Sequence, residues 1–297
     1  MSLSVIIPCR NGERTVGAAI AATLAQSEPP VEILVVDDAS TDGSAAAAER
    51  AGARVIRCET RRNAGGARNA GLEAARGDLV AFLDADVIPS REWLAGARRA
   101  LDARPEVAGV GARILNGRSS RYGKLDYFMN HSEWIAGSSG ERSSLPTMAV
   151  VFRRSAIEGL RFPETNSGED TAFALSVLAR GGRLWFEPSI TVLHQHERLD
   201  WNAYWDKQVA CGRTIFWTRS ALDRPGRALV RFPVLLFLFP HLWLMLVRMA
   251  RAGFFVDAVM LFPWFVAGEI ARIRGFFDAR RAGVGAWLAT GSGKVAA

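Results

Sequence analysis

Cysteine is scarce in this chain, and its three cysteines lie far apart. Cys9, Cys58 and Cys211 form no Cys-x-x-Cys pair. This spacing argues against a disulfide framework and against a structural zinc site. We therefore expect the protein to work in a reducing compartment such as the cytosol.

The N-terminus lacks the features of a secretory leader. The first residues, Met-Ser-Leu-Ser-Val-Ile-Ile-Pro, contain neither a basic stretch nor a long apolar stretch. We expect from this that the protein has no signal peptide and that its N-terminal part faces the cytoplasm.

Long hydrophobic runs are also missing, since a membrane-spanning helix needs ~20 apolar residues. Residues 232–247 contain no acidic or basic residue apart from His241, and residues 253–268 contain only Asp257. Prolines interrupt both runs. The two runs could form a kinked hairpin, re-entrant helices within one leaflet, or a buried helical pair of a soluble protein. The re-entrant arrangement is slightly favoured, because it keeps Arg248 and Arg251 out of the apolar layer.

Acidic residues are depleted only in the C-terminal third. The net charge of the chain is +7, yet residues 206–297 hold 13 basic and 5 acidic residues, against 24 and 25 in residues 1–205. Residues 200–219 also predict an amphipathic helix that carries Trp201 and Trp205. Because no nucleic-acid-binding motif accompanies the basic charge, we expect residues 201–297 to be an interfacial, membrane-associated region with apolar helices. Residues 1–200 would form the other domain.

Strand and helix patterns alternate through the first hundred residues. Short β-branched runs are followed by alanine-rich stretches with helical spacing. This alternation predicts an α/β fold with a mainly parallel sheet and flanking helices, Rossmann-like in character. The predicted strands are 3–7, 31–36, 54–57 and 79–83, and the predicted helices are 14–26, 42–51 and 63–76.

Two of these predicted strands end in acidic residues. Asp37-Asp38 follows the second strand, and Asp84-Ala85-Asp86 follows the fourth. The carboxyl ends of parallel strands meet at one edge of a sheet, where ligands bind, and paired aspartates offer oxygen ligands to Mg²⁺ or Mn²⁺. Each motif by itself is also compatible with a solvated turn.

A glycine-rich segment, Asn63 to Gly71, opens the third predicted helix and contains Arg68. Helix N-termini suit anions, and an arginine at this place can hold a diphosphate or lie against a base. The glycines are interpreted as flexible, and the alternative interpretation, without a function, is a glycine-rich helix start with an exposed arginine.

Four motifs occur in the order and spacing of a known family. Pro8 to Asn11, Asp37 to Asp42, Asn63 to Gly71 and Phe82 to Asp86 resemble family 2 glycosyltransferases of the GT-A fold, of the bacterial membrane-associated type. The resemblance implies an inverting transferase that uses a nucleotide-diphospho-sugar donor and Mg²⁺ or Mn²⁺. A lipid-linked or surface polysaccharide acceptor and the cytoplasmic face of the inner membrane are the expected partner and place.

The resemblance also suggests a role for each matching residue. Asp38 and Arg68 would hold the nucleotide, Asp84 its ribose, and Asp170 would be the catalytic base in the acidic pair that precedes a helix. Asp86 and His194 would hold the metal and diphosphate, with His196 as the alternative to His194. The full expected set comprises donor-binding Pro8, Arg10, Asn11, Asp38, Arg68 and Asp84, catalytic Glu169 and Asp170, and metal-binding Asp86 and His194.

Residues 116–146 predict a long polar connection that contains four aromatic or imidazole side chains. These side chains could stack on sugar rings or form the local core of a helical insert. The four side chains are Tyr122, Tyr127, His131 and Trp134.

We predict strands at 107–115 and 147–152 on either side of this connection. A helix at 171–179 and short strands at 184–186 and 190–193 are predicted to follow.

Two other functions compete with glycosyl transfer. A nucleotidyltransferase of similar fold would be expected to have a glycine-rich signature near the first strand, and Val5 to Asn11 has none. A membrane-tethered module that only binds nucleotide sugars would need no base. The presence of Asp86 together with Asp170 therefore argues against such a module.

Overall fold

The computed structural model describes residues 1–117, 120–135, 137–165, 168–195, 200–221, 232 and 240–283. These residues divide into two compact units. The first comprises residues 1–115 and 138–195, and the second comprises residues 116–137 together with the described residues after 195. The sequence-based boundary at residue 200 had placed residues 116–137 in the first domain.

The elements of the first hundred residues match the predicted alternation. Strands and helices are numbered in chain order, and the described residues also include a 3-10 turn at Ser132–Trp134. The elements are β1 Leu3–Cys9, α1 Val16–Leu24, β2 Glu32–Asp37, α2 Ser44–Arg50, β3 Arg54–Arg57, α3 Asn63–Ala74, β4 Leu79–Leu83, β5 Val87–Pro89, α4 Trp93–Asp102, β6 Val107–Asn116, α5 Arg121–His131, β7 Gly140–Arg142, β8 Ala149–Arg153, α6 Arg154–Ile157, α7 Glu169–Ala179, β9 Arg183–His194, α8 Trp201–Ala221, α9 Leu242–Arg251, α10 Phe255–Met260 and α11 Phe262–Ala282.

A mixed sheet forms the centre of the first unit, with strand order β3-β2-β1-β4-β8-β6-β9-β5 and β7 beside β9. The pairs β3-β2, β2-β1 and β1-β4 are parallel, as predicted, because helices α1, α2 and α3 provide the crossovers. Strand β8 runs antiparallel to both β4 and β6, and β5 and β7 run antiparallel to β9. The parallel half therefore carries the strand ends from which the acidic motifs project.

The later strands differ in detail from the prediction. One twelve-residue strand, β9, replaces the two short strands expected at 184–186 and 190–193. Strands β5 and β7 are three residues each, which is too short to give a periodic signal in the sequence. Strand β5 matters for the site, because it pairs Val87 with His194.

An aromatic core anchors the segment that precedes α7. Phe162 and Phe173 stack with their ring centroids 3.9 Å apart, and Phe82 meets Phe162 edge-on at 5.2 Å. All three side chains are fully buried. Burial of such rings fixes backbone position strongly, so residue 162 and its neighbours are held against the end of β4.

The second unit is helical, and glycines at the contact between its two longest helices allow their backbones to approach closely. A Cβ at Gly212 of α8 would collide with the carbonyl of Arg272, and a Cβ at Gly275 of α11 would collide with the carbonyl of Val209. Helices α8 and α11 therefore approach each other at backbone distance. The predicted helix at 200–219 is confirmed as α8, and its face that includes Tyr204 is buried.

Buried polar groups tie the helices of this unit together. The Arg272 guanidinium donates to Gln208 Oε1 at 2.8 Å, to the Met129 carbonyl at 3.0 Å and to Asn130 Oδ1 at 2.8 Å. These contacts join α11 to α8 and α5. The carboxylate of Glu269, which is fully buried, lies 2.6 Å from His241 Nδ1.

The aromatic residues of the 116–146 connection belong mainly to the core of this helical unit. Tyr127 and Trp134 are buried, and the ring of Tyr122 lies 6.3 Å from those of both Trp201 and Tyr204. The helical-insert alternative is therefore correct for these side chains.

The structure describes the two apolar runs to different extents. The run at 253–268 is divided between α10 and α11, with Pro263 in the first turn of α11. In the run at 232–247, residues 233–239 lie outside the described residues, and residues 242–247 belong to α9. Within the described ranges, no helix has the length and apolar character needed to cross a membrane. The hairpin and re-entrant arrangements stay predictions.

Candidate active site

Two loops at the carboxyl ends of β1 and β2 are bound to each other. The Asn11 amide N–H donates to Ser40 Oγ at 3.0 Å, and Asn11 Oδ1 accepts from the Thr41 N–H at 2.9 Å. Asn11 and Ala39 both have positive φ, at 51° and 53°. Such conformations are uncommon for residues other than glycine and are held by their surroundings. Of the predicted donor-binding residues, Asn11 thus shapes this corner, while the Arg10 side chain is exposed and Pro8 half-buried.

Asp38 connects the same corner to the start of α3. Its backbone N–H donates to the Cys9 carbonyl at 2.8 Å, and its Oδ1 accepts from the Arg62 N–H at 2.5 Å. The neighbouring Asp37 has one carboxylate oxygen, Oδ1, that is buried and has no hydrogen-bond partner among the described residues. Burial raises the pKa of the Cys9 thiol to about 11, so this cysteine is protonated at neutral pH and is no nucleophile.

The glycine-rich start of α3 serves close packing. A Cβ at Gly65 would collide with the carbonyl of Pro163. Asn69 holds the same segment, because its amide donates to the Phe162 carbonyl and accepts from the Phe162 N–H, each at 2.8 Å. The interpretation of these glycines as flexible is therefore wrong, since they let α3 lie directly against residues 162–164.

We predict that Gly65→Ala destabilises the protein by about 1–3 kcal/mol, because the added methyl meets a backbone carbonyl that cannot rotate away. Gly17→Ala in α1 is the matched control, since a Cβ there meets nothing within 4 Å. Alanine at a helical position should be neutral or stabilising by about 0.5–1 kcal/mol. Urea unfolding of both variants measures the difference. Equal stabilities would contradict the packing role of Gly65.

Arg68 of α3 joins two acidic motifs that are 85 positions apart in the chain. Its Nη2 lies 2.9 Å from Asp84 Oδ1, and its Nη1 lies 3.0 Å from Glu169 Oε1. The Arg68 side chain is 4% exposed, and its guanidinium lies 5.6 Å from the centroid of the Phe162 ring. A buried arginine that spans two carboxylates fixes both in position. The end of β4 and the start of α7 are thereby held together.

These carboxylates have altered acidity. Burial raises the pKa of Asp84, with Arg68 opposing the shift and Asp86 adding to it. Burial also raises the pKa of Glu169, and the neighbouring Asp170 raises it further. Several negative charges are therefore concentrated around one cation, and such clusters of perturbed groups are typical of functional sites.

Asp86 and His194 come together through the short β5-β9 pair. His194 Nε2 lies 3.5 Å from Asp86 Oδ2, and the Gln195 N–H donates to the Asp86 carbonyl at 2.9 Å. A carboxylate oxygen and an imidazole nitrogen at this distance fit two ligands of Mn²⁺ or Mg²⁺, ions that commonly take their remaining ligands from water and phosphate. In the part of the chain that is described, no three His, Cys, Asp or Glu side chains form a metal cluster. His196 lies outside the described residues.

Asp170 is the second residue of α7 and follows Glu169 directly. Gly168, at the N-cap, has a φ of 81°, which a glycine adopts without strain, and the Asp170 Oδ1 accepts from the Thr171 N–H at 2.6 Å. Glu169 is engaged by Arg68, whereas Asp170 contacts the backbone of its own helix. The two acids of the pair thus have different surroundings.

The predicted residues fall into two groups. Arg68, Asp84, Glu169 and Asp170 form one cluster, which Asp86 and His194 adjoin because Asp86 is two residues from Asp84. Pro8, Arg10, Asn11 and Asp38 lie at the ends of β1 and β2. Asp38 and Arg68 were both predicted to hold the nucleotide, but they have different partners in the structure. Asp38 contacts Arg62, and Arg68 contacts Asp84.

Sequence reasoning overlooked the ion pair between Arg62 and Glu164, which lies beside Asp38 because the Arg62 N–H donates to Asp38 Oδ1. Arg62 Nη2 lies 2.7 Å from Glu164 Oε1. Arg62 stands just before the glycine-rich segment, a position that could have drawn attention to it. Glu164 gave no local signal, because its partner is 102 residues away.

Comparison with known proteins assigns the chain to a family. The profile described as Glycosyl transferase family 2 matches residues 4–160, more than half of the chain. The chain belongs to glycosyl transferase family 2. The resemblance carried by the four motifs is therefore confirmed.

Individual family 2 relatives agree with this assignment. The chain is 34% identical over 204 residues to the succinoglycan biosynthesis protein ExoO of Rhizobium meliloti, covering 63% of this chain and 58% of that one. It is 29% identical over 188 residues to the Escherichia coli UDP-Glc:alpha-D-GlcNAc-diphosphoundecaprenol beta-1,3-glucosyltransferase WfgD, covering 59% and 69%. The chain spans about half the length of the first curated relatives it matches.

The fold of this family 2 chain is also that of solved glycosyltransferases. The mannosyltransferase PcManGT of Pyrobaculum calidifontis, solved with GDP-Man and Mn²⁺, superposes with a TM-score of 0.65 and covers 94% of this chain and 86% of its own. The identity is 19%, so this similarity speaks for the fold alone. The predicted GT-A α/β fold is confirmed.

Proposed function

We propose that this chain transfers a sugar from a nucleotide-diphospho-sugar to a hydroxyl group of an acceptor, with inversion at the anomeric carbon. The observation that carries the proposal is the bridge from Arg68 to Asp84 and Glu169. This bridge places the acidic motif at the end of β4 next to the acidic pair of α7. In this proposal the donor-binding and base residues lie side by side, as transfer requires and as binding alone does not.

The base in this proposal is Asp170. The acceptor oxygen would attack the anomeric carbon while its proton passes to the Asp170 carboxylate, and the bond from the anomeric carbon to the diphosphate oxygen would break. The nucleoside diphosphate leaves with the electron pair of that bond. Attack from the face opposite the diphosphate inverts the configuration. Glu169 would act as a positioning residue through Arg68.

The residues proposed to hold a divalent cation are Asp86 and His194. A bound cation would offset the negative charge of the departing diphosphate. Two observations support a divalent cation at these residues. The PcManGT complex contains Mn²⁺, and the Asp86 carboxylate of this chain lies next to the His194 imidazole. The ends of β1 and β2, with Asn11 and Asp38, would hold the nucleoside, and Asp84 its ribose.

A lipid-linked or polysaccharide acceptor is the proposed second substrate. The name of WfgD specifies an acceptor on diphosphoundecaprenol, and that of ExoO specifies succinoglycan biosynthesis. We propose the cytoplasmic face of the inner membrane as the place of reaction. The three free cysteines of the chain support a reducing compartment.

A donor screen tests the reaction directly. UDP-, GDP- and dTDP-sugars are incubated with the full-length protein and Mn²⁺, and release of nucleoside diphosphate is measured without an acceptor. Metal-stimulated hydrolysis of one donor supports glycosyl transfer. Release of pyrophosphate from a nucleoside triphosphate and a sugar phosphate would instead indicate a nucleotidyltransferase.

We predict that Asp86→Ala weakens Mn²⁺-stimulated binding of the preferred nucleotide by at least about tenfold, because it removes one of few protein ligands. Titration calorimetry with and without Mn²⁺ measures the effect. Asp102→Ala, at the exposed end of α4, is the matched control and should bind as the wild type does. Undiminished Mn²⁺ stimulation in Asp86→Ala would remove Asp86 from the proposed metal site.

A further inference from the structure

Exposed apolar side chains are concentrated in one stretch of the helical unit. Of the thirteen large apolar side chains that are exposed in the described part of the chain, seven lie between residues 243 and 262. Soluble monomers rarely expose large contiguous apolar patches, and a concentration of this kind indicates an interaction site. The seven are Trp243, Leu244, Phe255, Val256, Val259, Met260 and Phe262.

Helix α10 is the clearest part of this stretch. Phe255, Val256, Val259 and Met260 are exposed, whereas Ala258 is buried. The exposed positions share one side of the helix, because residues four apart lie one above the other. Four of the six side chains of α10 are therefore apolar and turned away from the unit. Helix α9 has the same character at its start, since Leu242 is buried and Trp243 and Leu244 are exposed.

The charge of the stretch is basic. Asp257 is its sole acidic residue from 240 to 268, and the carboxylate of Asp257 lies 3.2 Å from Lys124 Nζ. Arg251, at the end of α9, is exposed. On helix α5 of the same unit, the Arg121 guanidinium lies over the ring of Trp264, 4.8 Å from its centroid. Cations thus accompany the apolar side chains, and the one acid is neutralised.

We infer that the exposed surface of α9 and α10 docks onto the surface of an anionic lipid bilayer, with the apolar side chains entering one leaflet and the arginines contacting lipid phosphates. Short helices with an exposed apolar face, a tryptophan and flanking arginines suit the interfacial layer. Neither helix needs to cross the bilayer for this contact. The inference rests on the helical unit and goes beyond the proposed reaction.

Vesicle co-sedimentation of the full-length protein tests the inference. We expect binding to vesicles of phosphatidylcholine with 30% phosphatidylglycerol, and weaker binding to phosphatidylcholine alone. Val256→Gln/Met260→Gln, at positions 73% and 67% exposed, should reduce binding at least tenfold, because two apolar side chains no longer enter the leaflet. Leu24→Gln/Val31→Gln, at exposed apolar positions of the first unit, is the matched control and should bind like the wild type.

A charge variant separates the two parts of the contact. Arg251→Gln should weaken binding about fivefold on vesicles with phosphatidylglycerol and leave binding to phosphatidylcholine unchanged. Wild-type protein that stays in the supernatant with both vesicles would overturn the inference, as would unchanged binding of Val256→Gln/Met260→Gln. A wild-type dimer that this double variant converts to a monomer, with vesicle binding unaffected, would assign the surface to a second copy of the chain. Donor hydrolysis in solution, measured separately, shows whether the reaction itself is intact.

Discussion

Asp170→Asn is expected to lower sugar transfer by about 10²-fold or more while donor affinity changes little. Asparagine keeps the size of the side chain and can still accept from the Thr171 N–H, so α7 should begin as before. It cannot take up the acceptor proton, and loss of a general base typically costs 10²–10⁴-fold. Steady-state transfer rates and donor titrations on the same preparation measure the two quantities.

Glu169→Gln is the informative comparison for this prediction. Glu169 is bound to Arg68, so its loss should act on stability and on the position of Arg68 more than on proton transfer. We therefore expect Glu169→Gln to retain more transfer activity than Asp170→Asn does. Wild-type turnover by Asp170→Asn would exclude it as the base, and the reverse order of the two variants would assign the base to Glu169.

The parallel half of the fold could be predicted because its signals are local. Strands β1, β2 and β4 are buried on both faces and therefore appear as unbroken apolar runs. The antiparallel half was harder, since β5 and β7 are too short to have a period and β9 joins two runs across Pro188. The pairing of β8 with β4 depends on contacts about 70 residues apart in the chain.

The site was predictable in its residue types and less so in its connections. Local patterns predict strands β2 and β4 with acidic residues at their ends. Because the carboxyl ends of parallel strands meet at one edge of the sheet, these acids were expected to lie close together. The bridge from Arg68 to Glu169 crosses 101 residues, and the contact of Gly65 with Pro163 crosses 98. Neither leaves a mark in the nearby sequence. The glycines of α3 were therefore interpreted as flexible, whereas the structure shows that Gly65 allows close packing against a segment distant in the chain.

Loss of Arg68 should have the largest effect on stability. Arg68→Met keeps the apolar stem but leaves Asp84 and Glu169 without their shared cation in a mostly buried site. Removal of one partner from a buried ion pair costs about 3–5 kcal/mol, because the remaining charge stays buried and unpaired. Arg57→Met is the matched control, since its ion pair with Glu49 is more than half exposed on both sides, and it should cost less than about 1 kcal/mol.

The cost of Arg68→Met should also depend on pH, in a direction that follows from the two carboxyls. Burial raises the pKa of Asp84 and of Glu169, and Arg68 opposes both shifts, so the variant raises these pKa values further. A group whose pKa is raised in the folded state binds more protons when folded than when unfolded, and stability then falls as pH increases through that range. The destabilisation should thus be larger at pH 7.5 than at pH 5, because a lower pH favours protonation of the unpaired carboxyls and so reduces their buried charge. Urea unfolding of wild type and variant at both pH values measures the difference, and adding Glu169→Gln to Arg68→Met should recover part of the loss at pH 7.5. A cost that is equal at both pH values, or no recovery in the double variant, would mean that lost packing and not unpaired charge accounts for the effect.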